Sequence, residues 1–112
     1  MSEITESRLQ AECFQYHWNT YPNERRKLFM VHNSPRNAID GNRLKAQGMV
    51  AGVSDMLLLR NDKPPLCIEI KTATGTQQRN QKEWQQVAES TGANYVIVRS
   101  LDEFKDIIKR CQ

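Results

Sequence analysis

The sequence has few cysteines, no long apolar run and only a small excess of charge of one sign. Its three cysteines, Cys13, Cys67 and Cys111, lie far apart. An odd, scattered set of this kind fits a reducing compartment and has no zinc-site spacing. No apolar run approaches the roughly 20 residues of a membrane span. The first ten residues are polar and acidic, unlike a signal or transit peptide. These absences predict a soluble intracellular protein without a membrane partner.

The composition is that of one globular domain. The chain has 112 residues, of which 38% are hydrophobic and 26% are charged. This length is typical of a single domain with its own core, so we predict one domain over residues 1–112. Lys and Arg total 16 against 13 Asp and Glu, a formal net charge of +3. That balance permits a polyanionic partner without demonstrating one.

Hydrophobic periodicity and turn residues predict an α/β fold. Helices are expected over 3–20, 77–91 and 101–109, strands over 27–32, 55–60, 66–71 and 95–98, and a helix or ordered loop over 36–47. Turn residues at 61–64 make the second and third strands an antiparallel hairpin. The helix between the last two strands indicates a crossover connection. The prediction is therefore a mixed sheet with helices on both faces.

The hairpin brings two acidic residues together. With the turn centred near Asp62, antiparallel pairing sets Leu57 opposite Cys67 and Asp55 opposite Glu69. Directly opposed like charges destabilise a sheet unless something positive lies between them. Carboxylate oxygens are hard ligands, which favour Mg²⁺ or Mn²⁺ over softer metals. The pair therefore predicts a divalent metal site.

Lys71 lies one step along the same strand face as Glu69. From there its ammonium can reach a water or a phosphoryl oxygen beside the metal. A metal and an ammonium together are suited to the attack of water on a phosphodiester. The alternative for Glu69 and Lys71 alone is an exposed salt bridge on a solvated sheet face.

Two helical residues are further candidates for the site. Glu6 lies three positions before Leu9 on the predicted buried face of the first helix, where its carboxylate can support the metal. Its alternative role is a favourable acid near a helix N-terminus, and Glu12 on the same helix competes with it. Gln81 continues the buried face of its helix towards the site. A solvated glutamine at a helix start is the alternative for Gln81.

Basic residues are concentrated before the site and at the start of the third predicted helix. As a set they predict contact with DNA phosphates, although each one alone is as well explained by a solvated surface. The candidates are Arg36, Arg43, Lys45, Arg79 and Lys82. No aromatic-interleaved stretch suggests stacking of single-stranded bases. His17 is expected in the core, and His32 ends a strand.

These residues together carry a family resemblance that covers nearly the whole chain. The pattern consists of Glu6-x-x-x-Gln10, Gly-Val-Ser-Asp ending at Asp55, Ile-Glu-Ile-Lys-Thr over 68–72, Gly75, Gln81-x-x-Trp84 and Tyr-Val-Ile-Val-Arg over 95–99. It resembles the VRR-NUC domain, the virus-type replication-repair branch of the PD-(D/E)XK nucleases. The proline of the superfamily name is absent, since Val53 and Ser54 precede the aspartate.

The resemblance implies the PD-(D/E)XK (restriction-endonuclease-like) core and a role for each matched residue. Asp55 and Glu69 would be metal ligands, joined by the backbone carbonyl of Ile70. Lys71 would orient or activate the attacking water. The resemblance adds Glu6 as the helix-borne acid and Gln81 as a supporting polar residue.

The function expected from site and resemblance is a Mg²⁺- or Mn²⁺-dependent DNA endonuclease. The resemblance further implies a stand-alone homodimer of phage or bacterial type, cytoplasmic, acting on branched DNA such as four-way (Holliday) junctions. Two alternatives remain open. One is a catalytically inactive DNA-binding module of the same fold, and the other is a sequence-specific restriction-type endonuclease.

Overall fold

The computed structural model describes residues 4–32 and 35–112, and its elements follow the predicted order. The elements are α1 (Glu6–Thr20), a single 3₁₀ turn (Pro22–Glu24), β1 (Leu28–Met30), α2 (Ala38–Ala46), β2 (Met56–Arg60), β3 (Lys63–Ile70), α3 (Arg79–Ser90), β4 (Asn94–Val98) and α4 (Leu101–Arg110). The segment over 36–47 is therefore a helix, which the side chain of Asn37 caps by accepting from the Asp40 amide. Within the described ranges, no helix is both long and apolar enough to cross a membrane.

The sheet is mixed, as predicted. Its strand order is β1-β2-β3-β4, with antiparallel pairing from β1 to β3 and parallel pairing of β3 with β4. The parallel pair is connected through α3, the crossover that parallel strands require. Leu57 pairs with Cys67 as expected, and Met56 pairs with Ile68. Asp55 directly precedes β2, so the same register brings it level with Glu69.

The two faces of the sheet carry different helices. Side chains of β3 alternate, and the face of Ile68 and Ile70 belongs to a core cluster with Leu9 of α1 and Phe104 of α4. All four side chains are fully buried or nearly so. The opposite face of β3 meets α3, because Gln81 of that helix bonds to Glu69. The predicted arrangement with helices on both faces is confirmed.

Several element boundaries differ from the expectation by a few residues, and two of these differences have a clear local cause. Helix α1 begins at Glu6 because the Thr5 hydroxyl accepts the Arg8 amide and caps the helix. Glu6 is therefore exposed on the first turn, not on the buried face. The hairpin turn is limited to Asn61 and Asp62, since Arg60 pairs with Lys63 and β3 already runs through both following prolines. The pairing of β2 with β3 shifts register at these prolines, and prolines are tolerated at such irregular positions.

Helix α3 and strand β4 are less buried than their sequences predict. Val87 follows Trp84 at the helical spacing of three residues yet is 59% exposed, and Ala88 is the fully buried residue of the described helix. In β4 only Val98 is fully buried, although Tyr-Val-Ile-Val has the pattern of a core strand. The reason is position: β4 is an edge strand of the sheet, and α3 packs mainly against that edge.

Candidate active site

Asp55 lies where β2 begins and β3 ends. Its Oδ2 accepts the backbone N–H of Ile70 at 2.7 Å. Its own carbonyl accepts the N–H of Val31 at 2.9 Å, which extends the pairing of β1 with β2. The carboxylate is thus held against the end of β3 by a charge-assisted hydrogen bond.

Glu69 is a buried acid with neutral hydrogen-bond partners. It is 1% exposed. The amide Nε2 of Gln81 donates to its Oε2 at 3.1 Å, and the Tyr95 hydroxyl donates to its Oε1 at 3.3 Å. Burial and, after it, the adjacent Asp55 carboxyl raise the pKa of Glu69 to about 8, while Lys71 and Tyr95 act in the opposite direction. Burial and a like charge both disfavour the ionised form.

Gln81 is oriented by its own helix. Its Oε1 accepts the backbone N–H of Gln78 at 2.8 Å, so its amide nitrogen is left to face Glu69. The loop before Asp55 packs on this helix start. A Cβ at Gly52, whose φ is +86°, would overlap the backbone carbonyl of Asn80. Glycine at 52 therefore lets the Asp55 loop and the start of α3 approach closely.

Tyr95 also bonds to the Glu69 carboxyl, although the sequence analysis named it only within the Tyr-Val-Ile-Val-Arg segment and gave it no role. Its hydroxyl donates to Glu69 and accepts from Gln77 Nε2 at 3.2 Å. Gln77 Nε2 also donates to Gln85 Oε1 at 2.9 Å. Burial raises the pKa of Tyr95, and the Glu69 carboxyl raises it further, so the phenol stays protonated as a donor. The sequence signal that could identify Tyr95 is its position, since it is a tyrosine at the start of an otherwise aliphatic strand.

Lys71 is buried beside Glu69, at 5% exposure. Its backbone N–H donates to the Val98 carbonyl at 3.0 Å, which continues the β3–β4 ladder one residue beyond β3. Its charge lowers the pKa of Glu69. The alternative of an exposed salt bridge on a solvated face is therefore excluded, because both side chains are inside the protein.

Glu6 faces the loop that follows Lys71. A Cβ placed on Gly75 would lie 3.7 Å from Glu6 Oε2. Arg99 holds this loop, since its Nη1 donates to the carbonyls of Thr72 and Gly75 at 2.8 and 2.6 Å. Glu12, the competing acid, instead pairs with Arg8 at 3.5 Å.

The donor set suits a hard divalent cation held by few protein ligands. In the described part of the chain, no three His, Cys, Asp or Glu side chains group together. Asp55 and Glu69 would therefore need a backbone oxygen and water to complete a coordination shell. The N–H of Ile70 points towards Asp55, while that of Lys71 points towards β4. Because one residue's N–H and C=O share a side of the strand, the Ile70 carbonyl faces Asp55 as well.

The predicted DNA-contacting residues are on the surface, and three of them have acidic partners. Arg36 and Arg43 both bond to Asp40, and the Arg36 amide and Arg43 guanidinium hold the pKa of this carboxyl below its usual range. Arg79 pairs with Glu83 at 3.0 Å. Lys45 and Lys82 are exposed. The structure does not bring Arg36 or Arg43 into contact with the carboxylate site.

The two histidines differ in burial. His17 is 2% exposed, and burial lowers its pKa, which confirms the predicted core position. His32 is exposed and lines a groove that Asp55 and Glu6 also line.

The fold is that of an α/β protein with a mixed four-stranded sheet flanked by helices, and Asp55 and Glu69 lie at the end of β3. A solved structure described as a "VRR_NUC domain protein" superposes with a TM-score of 0.72 at 20% sequence identity, covering 98% of this chain and 89% of that chain. The resemblance that the sequence motifs predicted is thus confirmed in the fold. No family model and no curated protein matches the sequence.

Proposed function

We propose that this protein is a metal-dependent DNA endonuclease acting as one nuclease domain. The observation that carries the proposal is the buried Glu69 carboxyl against Asp55, with the Lys71 ammonium beside them at the end of β3. A buried acid and a buried base beside a second, half-buried acid are costly to a fold unless they serve a purpose. The shared fold with a VRR_NUC domain protein supports the nuclease class.

Each residue has a role in this proposal. Asp55, Glu69 and the Ile70 carbonyl would hold the cation. When bound, a Mg²⁺ or Mn²⁺ ion supplies Lewis acidity and a more acidic water. Lys71 orients the attacking water or a phosphoryl oxygen through its ammonium. The oxygen of water forms a new bond to phosphorus as water gives up a proton to solvent, the bond from phosphorus to the leaving oxygen breaks, and that oxygen takes up a proton from solvent.

The remaining residues position these groups. Gln81 and Tyr95 fix the Glu69 carboxyl by donating to its two oxygens. Such partners commonly tune a ligating carboxylate, and their loss weakens metal binding. Glu6 acts from the start of α1, facing the loop at Gly75.

A cleavage assay tests the proposal. Four-way junction, flap, single-stranded and linear duplex DNA are compared with Mg²⁺, Mn²⁺ or EDTA. We expect metal-dependent cutting that falls roughly 10²- to 10⁴-fold in Lys71→Ala and Asp55→Asn. Lys109→Ala and Asp106→Asn, exposed on α4, are the matched controls and should cut like the wild type.

Other outcomes discriminate the alternatives. DNA binding without metal-dependent cutting of any substrate would contradict the proposal and leave a binding module. Cutting of linear duplex at one recurrent sequence would favour a restriction-type enzyme.

The preference for branched DNA and the homodimer are proposals that rest on the family resemblance. Paired symmetric cuts in a four-way junction, made by a species that sediments as a dimer, would support both.

A further inference from the structure

A groove beside the candidate site extends away from the carboxylates. It has a volume of about 1040 Å³ and lies between α1 and β1. Asp55 and Glu6 line it together with Gln10, Phe14 and Met30. Met30 is 62% exposed, so a large apolar side chain lies on the surface close to these acids. The groove therefore joins an apolar surface to the proposed reaction centre.

One stripe of α1 lines this groove with its first three members, Glu6, Gln10 and Phe14, and continues beyond the groove to Trp18. Glu6, Gln10, Phe14 and Trp18 recur every four residues, so each lies about one turn beyond the last. The stripe covers about 18 Å of helix. Phe14 and Trp18 stack with their ring centroids 5.9 Å apart. The stripe thus begins with the acid near the site and ends in two aromatic rings.

A cation is fixed at the far end of the stripe. The Arg25 guanidinium lies 4.7 Å from the centroid of the Trp18 ring, and its Nε donates to the Trp18 carbonyl at 2.9 Å. Stacking and this hydrogen bond hold the planar group in one orientation. The surface therefore offers acids at one end, apolar and amide groups in the middle and a positioned positive charge at the other end.

We propose that this groove binds an unpaired DNA strand that continues from the phosphate at the carboxylate site, an inference that rests on the proposed nuclease function. Unpaired bases have apolar faces, which suit Phe14 and Met30, and polar edges, which suit the Gln10 amide. Arg25 meets a phosphate of the same strand. The aromatic residues come from positions that only the helix brings into line, which explains why no aromatic-rich stretch of sequence indicated them.

An unpaired strand is the expected occupant because the groove is continuous with Asp55. In a duplex the bases are stacked and present only their edges in the grooves, so their faces cannot reach these apolar walls. A second protein chain in the groove would cover Asp55 and compete with the substrate. An unpaired strand fills the groove and leaves its phosphate at the site.

Binding in EDTA tests the groove separately from cleavage. A labelled oligothymidylate and a blunt duplex of equal length are titrated with the full chain, and binding is followed by anisotropy and by quenching of tryptophan fluorescence. We expect Met30→Ala and Arg25→Gln to weaken binding of the single strand roughly fivefold or more. Ile39→Ala and Arg110→Gln, also exposed, are the matched controls and should bind within about twofold of the wild type.

The outcomes separate this inference from the proposed function. Unchanged single-strand binding in both groove variants would overturn the inference, even if the protein cuts DNA. Conversion of a dimer to a monomer by Met30→Ala, with single-strand binding intact, would overturn it in favour of a contact between two copies. Selective loss of single-strand binding in the variants would support it, even if no substrate is cut.

Discussion

The two faces of strand β3 are buried to the same degree and filled in opposite ways. Ile68 and Ile70 face α1 and α4 and are fully buried among aliphatic and aromatic side chains. Glu69 and Lys71, which alternate with them, are almost as deeply buried, and Glu69 accepts hydrogen bonds from Gln81 of α3 and Tyr95 of β4. The difference separates a face that stabilises the fold from the face that carries the proposed active site.

The polar face is costly even though its groups are bonded. In the part of the chain that the structure describes, no buried side-chain N or O atom lacks a hydrogen-bond partner. The raised pKa of Glu69 nevertheless shows that its charged form is disfavoured where it lies. A buried charge that is imperfectly compensated reduces stability. The aliphatic face therefore has to offset what the polar face costs.

The largest effect is expected from one substitution on each face. Ile68→Ala leaves a cavity in the core and should lower the free energy of unfolding by about 2–5 kcal/mol. Glu69→Gln removes the buried charge and should leave the stability of the metal-free protein unchanged or raised at pH 8, while abolishing metal-dependent cutting. Urea denaturation in EDTA measures both variants. Equal destabilisation by both would show that the faces do not differ.

The pH dependence sharpens the same comparison. In the unfolded chain Glu69 ionises near its ordinary pKa, whereas in the folded protein its pKa is about 8. The folded state therefore binds more protons between these values, and stability falls as pH rises through this window. A pKa difference of one between the two states corresponds to about 1.4 kcal/mol, so the loss of stability amounts to a few kcal/mol. Thermal unfolding in EDTA from pH 5 to 9 should show the loss in the wild type.

Glu69→Gln is the control for this profile, because it removes the titrating group and keeps the others. The variant should lack the decline between pH 5 and 8. Adding Mg²⁺ should raise the wild-type midpoint more at pH 8 than at pH 5, since a bound cation stabilises the ionised carboxylates. A wild-type decline identical to that of the variant would contradict the assignment to Glu69.

A smaller effect on stability is expected from substituting the glycine in the loop before Asp55, and a glycine in another loop provides the comparison. Gly48 and Gly52 both have positive φ, at +113° and +86°. A Cβ at Gly48 meets nothing within 4 Å, whereas one at Gly52 overlaps the backbone of α3. Gly48→Ala should therefore cost only backbone strain, about 1–2 kcal/mol. Gly52→Ala should cost more and should also weaken metal binding, because it displaces the helix start that carries Gln81. Equal effects would contradict this packing.

Much of the fold and part of the site could be predicted from the sequence, since both depend on local periodicity. The hairpin register followed from one turn, and it placed Leu57 opposite Cys67 as the structure does. The same register brought Asp55 to the end of β3. Residue roles within the site remain predictions, and the assays above test them.

What the sequence could not show depends on where an element lies in the sheet. Tyr-Val-Ile-Val looks like a buried strand, yet β4 is at the edge, and its tyrosine reaches Glu69 from there. Phe14 and Met30 are well separated in sequence and line one groove only after α1 packs beside β1. Such proximity comes from tertiary packing, which periodicity does not encode.

The smallest effect on stability is expected from an exposed residue of α3, the helix that covers the polar face of β3. Arg79 projects into solvent with Glu83 as its partner, and its side chain is 94% exposed. An exposed i,i+4 pair contributes roughly 0.3–0.5 kcal/mol, so Arg79→Ala should change stability little. If Arg79 meets a phosphate, the substitution should weaken DNA binding about equally for all sequences and reduce the salt dependence by about one ion. Arg110→Ala, exposed at the end of α4, is the matched control. An unchanged salt dependence in Arg79→Ala would remove this residue from the DNA-contacting set while leaving the buried carboxylates untouched.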